Sequence, residues 1–166
     1  MTTSSPLWDR SELWLLSREV YPRGGRENWA QGAPALVQVG IHFDAVQVPA
    51  AVVDACAGTP YQREIKAVFR EVGITSSVIV SRLRDWYYVL VPPGTDRTWR
   101  EPWAKCLGQE DAAPYVSVPH PRRASPPGTY WLLRAPDGSD MLCDPRRVRD
   151  LARQGTAPAS RRAQDA

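Results

Sequence analysis

Few residues in this chain carry chemistry, and they are scattered. Asp44 sits in Ile41-His42-Phe43-Asp44-Ala45-Val46, a run that reads as a strand. Divalent-cation chemistry needs clustered carboxylates, and no second acid adjoins Asp44 in the sequence. The alternative for an isolated strand acid is a surface-facing carboxylate or a partner to an arginine. Arginines form a second set. Arg146, Arg149 and Arg153 fall on one stripe of a helix near the C-terminus, and with Arg122, Arg123 and the pair Arg161-Arg162 they could contact phosphates. The alternative for the stripe is a solvated helix face, with Asp150 pairing Arg146. A third set is Trp86-Tyr87-Tyr88, where alternation puts Trp86 and Tyr88 on one face and Tyr87 on the other. Aromatics on an open sheet stack bases, while those facing a helix are core. Gly-rich phosphate loops, a Gly-x-Ser-x-Gly elbow, Cys-x-x-Cys and His-Glu-x-x-His are all absent. His42 and His120 have no local partners that would mark them as catalytic.

The elements that must position these residues follow from periodicity. An amphipathic helix is expected over 11–21, with Leu13, Leu16 and Val20 on one face, ended by Pro22-Arg23-Gly24-Gly25. A strand is expected over 35–48, with Gly40 marking a bulge or a turn between two shorter strands. A short buried helix over 50–57 comes next. Thr59-Pro60-Tyr61-Gln62 reads as a helix start with Thr59 as cap; Tyr61, Ile65, Val68, Phe69 and Val72 form its apolar face and Gly73 its stop. A hairpin follows, 76–82 with 86–91. Residues 95–112 read as irregular. Strands are expected over 115–118, 129–134 and 140–143, and a last helix starts at Asp144-Pro145 and ends at Gly155. The fold class is α+β: a mainly antiparallel sheet backed by one or two helices, with an N-terminal arm and a C-terminal helix. Residues 1–34 form the arm, 35–155 the domain, and 156–166 a disordered tail.

The 166 residues suffice for one core. A hydrophobic share of 43% excludes a wholly disordered chain, and the absence of a long apolar run excludes a membrane-spanning helix. Of 21 basic residues only Lys66 and Lys105 are lysine, a bias that points to a high-GC genome such as an actinobacterium's. The 16 prolines, about twice the average share, favour short strands and stiff loops. A net charge of +3 permits nucleic-acid binding without demanding it. Three widely spaced cysteines do not make a disulfide framework, and with no leader segment this implies the cytoplasm. Seven tryptophans are many for this length, and Trp8, Trp14 and Trp29 lie in the arm, where they could meet a protein partner.

The blocks Ile41–Val46, Tyr87-Tyr88-Val89-Leu90-Val91-Pro92-Pro93, Tyr115-Val116-Ser117-Val118-Pro119 and Gly128-Thr129-Tyr130-Trp131 follow one another in an order that resembles the N-terminal domain of bifunctional DNA primase/polymerases, of the archaeo-eukaryotic primase superfamily. The resemblance covers about residues 35–135 and rests on order and spacing more than on any one motif. It implies that Asp44 occupies the first position of the family's Asp-x-Asp pair. The second position is Val46, the family's histidine falls near Trp86, and its third acid falls near Lys105 or Cys106. The implied form is catalytically degenerate: a binding or regulatory module with no cofactor, acting through nucleic acid or through a protein partner. Two alternatives stay open. One is an active metal-dependent nucleotidyltransferase with displaced acids, using Asp44 and divalent ions, with Asp85, Asp111, Asp140 and Asp144 as candidate acids. The other is a regulatory protein-interaction domain with no nucleic-acid role.

Overall fold

A computed structural model describes residues 7–17, 19 and 22–156 of the chain. Its helices are α1 (Leu7–Leu16), α2 (Pro22–Ala30), α3 (Ala50–Ala57), α4 (Gln62–Glu71) and α5 (Pro145–Thr156). Its strands are β1 (Ala35–Gln38), β2 (Asp44–Pro49), β3 (Val78–Val80), β4 (Trp86–Val91), β5 (Lys105–Leu107), β6 (Tyr115–Val118) and β7 (Tyr130–Leu133). Five strands form one sheet in the order β5-β2-β4-β3-β7, with every neighbouring pair antiparallel. Strands β1 and β6 pair separately, also antiparallel. The fold is α+β, as the periodicity predicts. Among the described residues no helix is long and apolar enough to cross a membrane.

Alternation along β4 explains the layering. Tyr87, Val89 and Val91 point into one core with Val46 and Val48 of β2 and the apolar faces of α3, α4 and α5. Tyr88 and Leu90 point the other way, toward a core built from α1, α2 and the β1–β6 pair. Both faces of the sheet are therefore packed against helices. Helix α4 shows why these segments become helices: Ile65, Val68 and Phe69 recur at the 3.6-residue period and are all buried. Each such side chain contributes about 1.5–3 kcal/mol when fully buried. Phe69 meets Tyr87 with ring centroids 5.6 Å apart.

Several boundaries differ from expectation for local reasons. The stretch 35–48 is two strands in two sheets, because Gly40 takes φ +89° and its N–H closes a turn on the Phe43 carbonyl at 2.8 Å. Helix α4 begins at Gln62 without a side-chain cap. Thr59 Oγ1 accepts the Tyr61 N–H instead, which leaves Tyr61 outside the helix and exposed. The 95–112 stretch contains β5, too short to show alternation, and a 3-10 turn at Thr95–Arg97. Residues Ser139–Met141 make a 3-10 turn where a strand was expected. The arm's helix is α1, four residues earlier than expected, with α2 in place of the Pro-Arg-Gly-Gly break. The 157–166 tail lies outside the described residues.

Gly155 does not stop α5. It lies within the helix, where a Cβ would come 2.2 Å from the Val52 carbonyl oxygen of α3. Gly→Ala in an exposed helix stabilises by about 1 kcal/mol. Here the sign reverses: Gly155→Ala is expected to destabilise the protein by roughly 1–3 kcal/mol, the usual cost of overpacking. Urea unfolding monitored by circular dichroism measures it, and a midpoint equal to or above the parent's contradicts the α3–α5 contact.

Candidate functional site

A concavity of about 880 Å³ lies between α2, the Pro119–Thr129 loop and the residues just after β3. Two indoles set the loop in place. Trp29 Nε1 donates to the Val118 carbonyl and Trp131 Nε1 to the next carbonyl, Pro119, both at 2.9 Å. Both indoles are buried, so the end of β6 is pinned to the second core. Arg123 then ties the groove's two walls together, donating to the Gly32 carbonyl on one side and the Pro127 carbonyl on the other.

The walls are basic. Arg26 from α2, Arg82 from the β3–β4 connection, and Arg122 and Arg123 from the loop all line the groove, against the single carboxylate of Glu12. That carboxylate meets His120 Nε2. His120 Nδ1 accepts the Arg122 N–H at 3.1 Å, which leaves Nε2 to face Glu12. The groove therefore carries a marked excess of positive charge on a chain whose net charge is only +3. Arg26 and Arg82 are exposed and have no hydrogen-bond or ion-pair partner among the described residues. They are available to an anionic ligand without breaking an existing contact.

Arg146, Arg149 and Arg153 lie on α5, on the far side of the sheet from the groove. Helix α5 covers the first core, whereas the groove adjoins the second. Arg146 pairs with Asp144 at 3.1 Å, not with Asp150, and Asp144 Oδ1 accepts the Arg146 N–H at 2.9 Å as the helix cap. That pairing holds the Asp144 carboxyl below its ordinary range. Arg153 Nε meets Glu101 at 2.9 Å, and Arg149 is half-buried with its Nε enclosed and unpartnered. Arg122 and Arg123 thus do not join Arg146, Arg149 and Arg153 in one surface. Arg161 and Arg162 lie outside the described residues.

The arm's tryptophans face inward where they are described. Trp14 is half-buried, stacks on His42 with centroids 4.8 Å apart, and packs against the second core. Trp29 is buried as a loop anchor. The Trp8 side chain lies outside the described residues.

Asp44 is wholly enclosed at the start of β2. Its Oδ2 accepts the backbone N–H groups of Gly94 and Asp96, both at 3.0 Å, so it holds the Pro-Pro-Gly-Thr-Asp loop that follows β4. Its Oδ1 is buried with no donor. Asp44 is not alone, as its sequence context implies: the Asp96 carboxyl comes within hydrogen-bonding reach of it. Room for Asp96 is left by Gly108, where a Cβ would stand 2.1 Å from Asp96 Oδ2. Asp111, also nearby, is neutralised by Lys105 at 3.0 Å. Asp85 lies at the β3–β4 turn and Asp140 in the second 3-10 turn, neither beside Asp44.

The family's cation site does not fit these residues. Val46 is buried in the apolar core, Lys105 brings a positive charge, and Cys106 is a buried thiol whose pKa is raised by desolvation and the surrounding acids. Asp44 Oδ2 is already occupied by two amides. Among the described residues no group of three or more His, Cys, Asp or Glu is placed to hold a metal ion. Among the described residues Cys56, Cys106 and Cys143 form no disulfide.

No family model, curated protein or solved structure matches this chain.

Burial, with the Asp96 carboxyl adding to it and the two loop amides opposing, pushes the Asp44 carboxyl from 3.8 up to about 6. Between these values the folded state binds more protons than the unfolded chain, so this group's contribution to stability is full below pH 4 and is lost as pH rises through 6. Asn at this position keeps an oxygen for the two amides and adds an N–H₂ donor toward Asp96 without titrating. The stability of Asp44→Asn relative to the parent is therefore expected to rise by roughly 2–3 kcal/mol between pH 4 and pH 7. Paired denaturation curves across that range measure it, and a pH-independent difference contradicts the raised value.

Proposed function

We propose that the chain is a non-catalytic primase/polymerase-like module that binds nucleic acid by its phosphates in the groove between α2 and the Pro119–Thr129 loop. One observation carries this reading: Arg26, Arg82, Arg122 and Arg123 come from three separate segments and converge on one concavity. Phosphodiesters are the commonest polyanion for such a set, because a guanidinium offers paired donors in a fixed fork and stays charged at every working pH. The non-catalytic part of the reading is supported by the use to which Asp44 is put. A carboxylate that is enclosed and whose Oδ2 is taken up by two loop amides is poorly suited to gather cations.

A second reading, a nucleotidyltransferase with displaced acids, is favoured by one feature, the approach of Asp96 to Asp44. Manganese-dependent primer extension that disappears in both Asp44→Asn and Asp96→Asn would establish it in place of the first.

The groove reading makes a quantitative expectation. Three or four arginine–phosphate contacts give a slope of log K against log salt of roughly −2 to −3.5. Arg82→Ala and Arg26→Ala are each expected to reduce the steepness by roughly 1 and to leave the thermal midpoint unchanged, since neither side chain has an internal partner among the described residues. Fluorescence anisotropy of a labelled oligonucleotide over a salt series measures both. Binding that is absent, or indifferent to salt, overturns the reading.

A further inference from the structure

The second core does not cover the whole of its sheet face. It ends at Ala45, Ile79 and Leu90, with Leu107 and Tyr88 only partly packed against it. Toward the other end of the strands the same face carries Lys105, Gln47 and Tyr88, which stand opposite one another in register across β5, β2 and β4. Gln47 Nε2 donates to Tyr88 Oη at 3.3 Å, so the row is ordered by side-chain contact. One step beyond lies Trp86, on the Tyr88 face by alternation and 37% exposed. Its neighbour Tyr87, on the opposite face, is 1% exposed, so the aromatic run is divided between core and surface.

The Trp86 backbone lies next to the edge of the groove. The Ser81 N–H donates to the Trp86 carbonyl and the Trp86 N–H to Ser81 Oγ, both at 3.0 Å, which fixes the Trp86 backbone alongside Ser81. The next residue, Arg82, lines the groove. An exposed aromatic platform and a phosphate-binding wall thus meet at residues 81–82. The aromatics in the groove itself are committed elsewhere: the Trp29 indole is buried and its N–H is spent on Val118. Phosphates would be held in the groove, and a base could be met only on the Trp86 side.

We propose that the ligand is a single-stranded nucleic acid, with its backbone in the arginine groove and a base stacked on Trp86. This rests on the groove reading above and names its substrate class. The charge of the adjoining groove selects a polyanion for the aromatic face over an apolar peptide. Of the polyanions, a duplex hides the faces of its bases, whereas a single strand presents them. The Tyr88, Gln47 and Lys105 row continues from Trp86 across the sheet and offers a path for the strand beyond the stacked base.

Anisotropy titration of the full chain with three labelled probes of equal length tests this: a mixed-sequence single strand, its perfect duplex, and a single strand whose central nucleotides are abasic. The base-bearing single strand is expected to bind tightest. Trp86→Ala is expected to weaken it by roughly 5- to 100-fold, the range for loss of one base–aromatic stack, with the salt slope unchanged. Trp86→Phe keeps a ring and should retain most of the affinity. The abasic strand should bind parent and Trp86→Ala alike. Equal affinity of the parent for all three probes, with a normal salt slope, overturns the stacking proposal and leaves the groove reading in place. Absence of salt-dependent binding to every probe overturns both. Should Trp86→Ala fail to fold, Trp86→Phe and the abasic probe still decide the question.

Discussion

Strand β4 has to be apolar on both faces, and that constraint shapes the molecule. It is the middle strand of five, paired with β2 over six residues and with β3 over three. Over Tyr87–Val91 its side chains are buried or half-buried whichever face they take, so cover is needed above and below. Tyr87, Val89 and Val91 are covered by the α3–α4–α5 layer, while Leu90 is covered by α1, α2 and the β1–β6 pair. The helices before β1 are thus part of the cover. Leu15, Leu16 and Trp29 are as buried as residues of the sheet, so α1 and α2 contribute to the second core.

The groove follows from the same layering. Closing the second face requires the end of β6 to be held against α2 and β7, which Trp29 and Trp131 do by donating to two consecutive carbonyls. With Val118 and Pro119 held, the proline-rich loop beyond them must turn outward, and its His120, Arg122 and Arg123 face the gap left beside α2. Buried hydrogen bonds of this kind are costly to break, because either partner would be left unsatisfied in an apolar surround. The loop's basic side chains are therefore carried on a rigid base. Trp29 and Trp131 act as structural pins, and the loop arginines they position line the concave surface.

Much of the architecture was legible in the sequence because it depends on local pattern. The 3.6-residue spacing of Ile65, Val68 and Phe69, the Asp144-Pro145 start of α5 and the alternation of Trp86, Tyr87 and Tyr88 each had one outcome compatible with burial. What could not be read was set by long-range pairing. Strand β5 is three residues without a period, and it is a strand only because β2 offers it an edge. The site suffered in the same way. Arg122 and Arg123 stood out as an adjacent pair, but Arg26 lies 96 positions before Arg122 and Arg82 lies between them in sequence, and only the fold joins all four. Asp96 is separated from Asp44 by 52 residues, and its approach depends on the absence of a side chain at Gly108. The α5 stripe illustrates the converse error. A regular arginine spacing suggested a surface for phosphates, yet Asp144 and Glu101, from outside the helix, take up Arg146 and Arg153.

Asp44 shows how a strand carboxylate can be retained without open coordination. A loop leaving β4 through Pro92 and Pro93 exposes the N–H groups of Gly94 and Asp96 where the chain reverses, and neither can pair with the sheet. An oxygen placed at the mouth of β2 satisfies both, which an apolar residue there could not do, and two buried amides left unpaired would cost more than the carboxyl's own desolvation once it is protonated. Glycine at 94 takes φ +91°, so the loop's path is set by backbone conformation as well as by this anchor. Under these demands the residue at 44 is constrained to be a hydrogen-bond acceptor of aspartate's length, while nothing constrains it to be open to a cation. The strand position opposite Cys106, Val46, is meanwhile free to become core. An acid in this place is thus accounted for by the loop it anchors.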